Sequence, residues 1–338
     1  MRIAVDAMGG DRGPDIIAQA AVNVARSYPD STILLIGDRE AIEKVLARSA
    51  NRPSNVEIVH ASEVVGMNEA PANAIRKKKD SSIAVAIQMV KDDKADALVS
   101  AGNTGAVVAG SLVKLGRLHG VSRPAIATFY PSNKGWVVLL DIGANSDCVP
   151  KNLAQFGVMG SVFAQYLLGV SDPRVGLLNI GEESTKGSEM VKRAYPLLAG
   201  SNINFVGNVE GRDVFAHAAD VVVCDGFVGN VVLKFSESIL SFVTGRLRKE
   251  VRKSVRGKIG AFLMKNVFSS FRASMDYAEV GGAPLLGVKG VVIISHGKSS
   301  VRAMQNAIIM AQRFVKYGIN GHIEDEFRGQ VDNLANVR

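Results

Sequence analysis

The side chains best placed to do chemistry in this chain sit in short polar stretches that contain glycine. Lys186 lies within Gly181–Ser188 (GEESTKGS), between an apolar run and a segment with helical spacing. An ammonium group beside helix N-terminal amides makes a pocket for phosphate or for a developing oxyanion, with a solvated loop lysine as the alternative. His296 follows the apolar run Val291–Ile294 and precedes Gly297 and Lys298, which places it at the end of a strand where a loop begins. Of the five histidines it is the site candidate; His60, His119, His217 and His322 read as surface or structural residues. Cys148 also follows a strand and loop, but neither it nor Cys224 has a histidine nearby in sequence, so a small buried thiol is preferred over a nucleophile. Arg76–Lys79 (RKKK) reads as a solvated cationic turn before a helix, with an anion contact as the alternative.

Several chemistries are disfavoured. No GxxxxGK[ST] occurs, the glycines of Gly102–Gly105 lack the GxGxxG spacing, and no GxSxG elbow is present. Two cysteines without a CxxC pair or a Cys/His cluster supply neither a disulfide framework nor a zinc site. No metal and no cofactor is therefore expected, and a reducing cytoplasm fits. The 20 aromatic residues are few for a protein that reads nucleic acid by stacking, so no nucleic-acid partner is expected. The N-terminus carries Asp6 and no signal-like apolar core, and no unbroken apolar run approaches the roughly 18 residues of a membrane span. The expectation is a soluble protein or one that lies on a membrane surface.

These residues need elements to position them. A length of 338 residues allows two domains or one large α/β domain. Strand-like runs occur at Ile3–Asp6, Thr32–Ile36, Val56–Val59, Ala97–Ser100, Ala125–Phe129, Trp136–Asp141, Val175–Ile180, Ile203–Val206, Val221–Cys224 and Val291–Ile294. Most are continuously apolar, as strands covered on both faces should be. Helical spacing covers Pro14–Ser27, Arg39–Ala47, Ser81–Lys91, Gly105–Leu115, Leu153–Leu168, Gly187–Leu198, Gly229–Arg252, Ser299–Tyr317 and Glu324–Leu334. The alternation predicts an α/β fold with a mostly parallel sheet. In the absence of repeats or linkers, residues 1–338 read as a single compact body. Six strand-to-helix loops hold the polar glycine-rich sequences: Asp6–Asp11, Ser100–Gly105, Asp141–Asn145, Asn179–Glu183, Asp225–Asn230 and Ser295–Gly297. In an open parallel sheet such loops converge on one edge, and that convergence is the expected site.

Charge is concentrated elsewhere. The net charge is +8; residues 246–275 hold nine basic residues and one acidic, and the rest of the chain holds 31 of each. Leu247, Val251, Val255, Ile259, Phe262, Leu263, Val267 and Phe271 recur at steps suited to a helical stripe, with Gly257 and Gly260 expected to break it into two helices. Such a basic amphipathic appendage suits an anionic bilayer or an acidic protein, and equally a stripe packed on a sister subunit.

The ordered motifs resemble the bacterial phosphate acyltransferases of phospholipid synthesis, the PlsX family. The resemblance rests on Ala4–Asp11, Arg76–Lys79, Ser100–Ala106, Asp141–Asn145, Arg174–Asn179, Asn204–Glu210, Asp225–Asn230, Tyr277 with Gly281–Gly287, and His296–Gly297. Gly13 and Pro284 depart from the family pattern without removing a reactive side chain. The resemblance implies a three-layer α/β/α fold similar to isopropylmalate dehydrogenases and phosphotransacetylases. It implies transfer of a long-chain fatty acyl group from acyl carrier protein to inorganic phosphate, giving acyl-phosphate for a membrane glycerol-3-phosphate acyltransferase. A homodimer with reversible membrane contact is also implied. On this reading Lys186 and the amides near Gly187 stabilise charge, Asn230 and Asn103 donate to phosphate or thioester oxygen, and His296 protonates the thiolate or contacts phosphate. Gly9, Gly10, Thr104 and Gly229 line the phosphate site, with Asp6 and Asp225 orienting these groups. Arg252, Lys253, Arg256, Lys258, Phe262 and Leu263 contact membrane or carrier protein. The alternatives are a non-enzymatic adaptor for anionic surfaces, an acetyl-CoA-type phosphotransacetylase and a decarboxylating dehydrogenase.

Overall fold

A computed structural model describes residues 1–48, 52–275 and 281–335; Tyr277, quoted in one motif above, lies outside them. The apolar runs become β1 (Arg2–Asp6), β2 (Thr32–Gly37), β3 (Val56–His60), β4 (Ala97–Ser100), β5 (Ala125–Ser132), β6 (Gly135–Leu140), β7 (Arg174–Leu178), β8 (Asn204–Val209), β9 (Val221–Val223), β10 (Ala283–Leu286) and β11 (Val291–Ile294). The helices are α1 (Gly13–Ser27), α2 (Arg39–Leu46), α3 (Pro71–Lys77), α4 (Ser82–Lys91), α5 (Thr104–Lys114), α6 (Pro150–Phe163), α7 (Glu189–Ala199), α8 (Gly211–Ala216), α9 (Gly226–Val251), α10 (Val255–Leu263), α11 (Lys265–Met275), α12 (Val301–Lys316) and α13 (Ile319–Ala335). Helix starts follow capping chemistry: the side chains of Asp38, Ser81, Asn103, Ser188, Asp225, Ser254 and Ser300 each accept a first-turn N–H. The expected helix Leu153–Leu168 is α6 with a π-helical turn, Ala164–Leu168, that ends on Gly169 at φ +73°. A left-handed residue of this kind is the usual stop, and glycine takes it without strain.

Among the described residues, one sheet of eleven strands runs in the order β3-β2-β1-β4-β11-β10-β5-β6-β9-β7-β8. Side chains alternate between its faces, so β1 places Ile3 and Val5 in one core with α1, α2, α6, α7, α12 and α13. Ala4 faces a second core with α3, α4, α5 and α8, against which α9 leans through Val232 and Leu233. The result is the three-layer α/β/α arrangement that fully apolar strands require.

Direction divides the sheet. β1, β2, β3, β4 and β11 are mutually parallel, and β6, β9, β7 and β8 form a second parallel set. Between them, β11–β10, β10–β5 and β5–β6 all pair antiparallel, so the second set runs opposite to the first. β10 is not among the strand-like runs of the sequence: its four residues contain a proline and follow Gly281 and Gly282.

The basic segment also differs from expectation. The chain breaks between α9 and α10 at Arg252–Ser254 and again at Met264, whereas Gly257 and Gly260 lie inside α10. A side chain at 257 would come within 2.7 Å of the Val251 carbonyl, so Gly257 allows α10 to fold closely against the end of α9. Helix α9 is, among the described residues, long and apolar enough to cross a membrane by length and composition, with a mean hydropathy of 1.3 over its best window. Lys234, Ser236, Glu237 and Ser238 interrupt the run, which is why a search for unbroken apolar sequence passes it over. Its first half lies on the sheet, where Tyr130 reaches the Val232 carbonyl and the Ser236 hydroxyl.

Candidate active site

Because the two parallel sets run in opposite senses, the six polar loops do not gather on one edge. The loops after β1, β4 and β11 form one set, and those after β6, β7 and β9 form another at the other end of the hydrogen-bonded ladder. The expectation of a single row is corrected by the antiparallel steps through β10 and β5.

In the first set, Asp6 is fully buried and acts as a brace. Its carboxylate accepts the Ser100 hydroxyl at 2.7 Å and the Met8 N–H at 3.2 Å, with Ser82 and the Gly9 N–H also bonding to it. Burial pushes its carboxyl above the ordinary range against the pull of these donors. A side chain at Gly9 would meet the Gly102 amide nitrogen at 2.6 Å, so the β1 and β4 loops touch backbone to backbone. Gly10, at φ +81°, lets the Asp11 N–H reach the Gly297 carbonyl at 2.8 Å and ties in the third loop. Asn103 caps α5 through Oδ1, and its Nδ2 donates to the carbonyls of Gly66, Met67 and Glu69, each at 3.1 Å. Its amide is spent on the protein, which makes Asn103 a loop clamp where the sequence reading had a donor to substrate. Thr104 is exposed on the first turn of α5. His296 is also exposed; its Nδ1 accepts the Lys298 N–H at 3.1 Å, which leaves the neutral ring with its proton on Nε2.

The second set repeats the plan with different donors. Asp141, fully buried, accepts the N–H groups of Ile126, Gly143, Ala144 and Asn145 and the Asn145 side chain, at 2.8 to 3.1 Å. Burial again raises its carboxyl. Asp225 caps α9 by accepting the Val228 N–H at 3.0 Å. A side chain at Gly229 would lie 2.0 Å from the Asp141 carbonyl, so glycine there is the condition for α9 to seat on the β6 loop. Asn230 stands beside Gly143, half-buried, and its amide bonds to no described residue. Asn208 holds the β7 loop through the carbonyl of Glu183 at 2.8 Å, and Asn179 donates to the Lys186 carbonyl at 3.0 Å. Gly187 takes φ +93° against the Asn179 side chain, which turns the chain into α7. Lys186 is exposed, its stem near Gly181 and its ammonium without an ion pair to any described residue. Cys148, half-buried, has its thiol pushed up to about 11 chiefly by burial, so it is protonated at neutral pH and a poor nucleophile.

Solved structures share this architecture. The EutD phosphotransacetylase from Staphylococcus aureus matches with a TM-score of 0.60, covering 93% of this chain and 94% of its own. A phosphotransacetylase from Streptococcus pyogenes matches at 0.63, covering 94% of each chain. Both are 17% identical, so the likeness is one of fold. A family model described as "Fatty acid synthesis protein" spans residues 1–321. Proteins named phosphate acyltransferase from Heliobacterium modesticaldum and Desulforamulus reducens are 50% and 52% identical over 336 and 319 residues, covering 99% and 94% of this chain and 100% and 95% of theirs. The chain belongs to the phosphate acyltransferase family. In this acyltransferase the two buried aspartates and Asn103 brace the loops, whereas Lys186 and His296 are exposed and Asn230 is half-buried beside Gly143. Sequence reasoning missed Ser100, Asp141 and Asn145 as individual site residues. The signal shared by Asp6 and Asp141 is a carboxylate where an apolar run ends, with a glycine two or three residues on.

Proposed function

We propose that this phosphate acyltransferase moves a long-chain fatty acyl group from acyl carrier protein to inorganic phosphate, producing acyl-phosphate for a membrane glycerol-3-phosphate acyltransferase. The observation that carries this reading is a Lys186 ammonium, without an ion pair to any described residue, on a glycine-turned loop at the start of α7, a placement suited to an oxyanion or phosphate. From β4 to β9 the sheet makes five steps; at about 20–25° of twist each, opposite strand senses become directions only roughly 55–80° apart. Two loop sets inclined in this way can flank one cleft. A phosphate oxygen attacks the thioester carbonyl carbon, the carbon–sulfur bond breaks, and the thiolate takes a proton. Lys186 and Asn230 stabilise the oxygen charge from one side; from the other, His296 Nε2–H donates a hydrogen bond to the departing sulfur, and the proton the sulfur takes is the one the attacking hydrogen phosphate loses. The amides of Gly10 and Gly187 line the phosphate while that of Gly9 stays tied to Asp6, and no covalent enzyme intermediate is needed.

Two exposed apolar surfaces support a division of labour that the sequence could not make. Phe227, Val231, Phe235, Ile239, Val243 and Leu247 form an exposed row along α9 at four-residue steps, suited to a second copy in a homodimer. Phe262 and Leu263, 77% and 76% exposed at the end of α10, suit a bilayer, with Arg252, Lys253, Arg256 and Lys258 for its anionic headgroups. The enzyme on this reading is cytoplasmic and peripherally bound. The test is release of carrier-protein thiol from palmitoyl-acyl carrier protein with and without phosphate. Release that depends on phosphate is expected, and release at the same rate without phosphate would refute transfer to it.

A further inference from the structure

The helices α3, α4 and α5 enclose a groove of 880 Å³ that neither loop set uses, a volume toward the upper end of the roughly 300–1,000 Å³ of small-molecule sites. Its floor is apolar: Ile75, Val85, Met89, Ala109 and Val113 all line it. Val113 is 80% exposed although α5 is otherwise well packed, so this helix leaves a large aliphatic side chain in water. Arg76, Lys79, Lys94 and Lys114 stand around the floor with one carboxylate, Asp92. That carboxylate accepts the Gln88 amide at 2.7 Å and lies 3.9 Å from Lys94.

The groove leads away from the first loop set. Asn103 holds the carbonyls of Gly66, Met67 and Glu69, and so fixes the segment that enters α3 at Pro71. A side chain at Gly105 would lie 2.5 Å from the Pro71 ring, so α3 sits directly on the first turn of α5. Ala109 and Val113 follow Gly105 at successive four-residue steps on the same face. At 1.5 Å per residue the lining on α5 begins at Ala109, about 9 Å along the helix from Asn103, and reaches Val113 at about 15 Å, so the groove opens beyond the Pro71–Gly105 contact within an acyl chain's reach of the first loop set.

We propose that this groove holds the hydrocarbon tail of the acyl group during transfer, with its depth along α5 setting the chain length accepted. The proposal rests on the acyl-transfer reading and adds where the tail lies. An apolar floor takes the methylenes, each worth roughly fourfold in affinity when removed from water. The cationic rim favours an anionic group carrying the chain over a cationic one.

The test reads chain-length preference in Ala109→Trp, which fills the groove near the loops, and Val113→Trp, which fills its far end at an exposed position that folding tolerates. Phosphate-dependent thiol release is measured with butyryl-, decanoyl- and palmitoyl-acyl carrier protein. The kcat/KM ratio of palmitoyl to butyryl donor should fall at least tenfold in Ala109→Trp. In Val113→Trp the palmitoyl to decanoyl ratio should fall while the decanoyl to butyryl ratio holds. Binding of the fluorescent fatty acid cis-parinaric acid should weaken at least tenfold in Ala109→Trp. Unchanged ratios with unchanged parinaric acid binding would overturn the groove, as would a change in oligomeric mass in both variants, which would make it a subunit contact. Wild type that releases no thiol from any donor would overturn the transfer reading instead, and parinaric acid binding would then decide the groove alone.

Discussion

The two loop sets solve one problem with different materials. After β1, Asp6 gathers two hydroxyl groups and two backbone amides, and the neighbouring loops meet through glycines that admit no side chain. After β6, Asp141 gathers four backbone amides and one side-chain amide, folding its own loop around itself before α9 seats on it through Gly229. The first set is knitted across three strands, and the second is wound on one carboxylate. In both, the buried aspartate has its oxygens consumed inward, by hydroxyls and amides in the first set and by amides alone in the second. The braces are thus separate residues from the exposed Lys186 and His296, which leaves the Lys186 ammonium and His296 Nε2 outside the bracing hydrogen bonds.

That contrast predicts effects of different size. The largest should follow Asp141→Ala, which orphans several buried N–H donors at about 1–3 kcal/mol each. The variant should unfold several kcal/mol more easily in urea, whereas Asp225→Ala, which loses one helix cap, should lose only about 1 kcal/mol. Equal losses would mean that the second set is not wound on Asp141. Next, Lys186→Ala should fold normally and lose ~10²–10³ in kcat, the usual effect of removing one oxyanion donor. Wild-type turnover in that variant would remove Lys186 from the mechanism. A third effect lies outside both sets: replacing Phe262 and Leu263 with Glu should abolish the salt-resistant part of vesicle binding and leave thiol release from soluble donor intact. Loss of both together would tie the appendage to the site.

A smaller effect separates the two carboxylates from ordinary surface acids. Burial raises the folded-state pKa of Asp6, so the folded protein binds that proton more tightly than the unfolded chain does. Its contribution is fully present below the unfolded value and declines as pH rises through the raised one. The stability gap between wild type and Asp6→Asn should therefore narrow from acid to neutral pH, and a gap that widens would show the carboxyl to be charged and stabilised by its donors. The smallest expected effect is none: iodoacetamide at neutral pH should leave turnover intact, because the Cys148 thiol at about 11 stays protonated.

Much of the fold was written in local pattern. All ten apolar runs read as strands are strands, because strands covered on both faces must be apolar throughout, and that pattern survives any topology. Direction is not local. It turned on Ala283–Leu286, whose proline and flanking glycines hid a strand, and on the tight hairpin from β5 to β6; together these reverse half of the loops. The short helices α3 and α8 were missed because six or seven residues carry too little periodicity to stand out. Glycines marked the loops where backbones come together, since close approach leaves its mark on residue type. Whether an asparagine faces substrate or its own chain leaves no such mark, and Asn103 and Asn230 look alike in sequence while only Asn230 keeps a free amide.

The account stands on the two sets acting as one site, and a double-mutant cycle tests this most directly. Lys186→Ala and His296→Ala, singly and combined, are assayed for phosphate-dependent thiol release from palmitoyl-acyl carrier protein. If both side chains act on one tetrahedral intermediate, each single variant loses turnover and the double variant loses clearly less than the product of the two losses. Losses that simply multiply, or a His296→Ala enzyme with wild-type turnover, would contradict a cleft shared by both halves of the sheet.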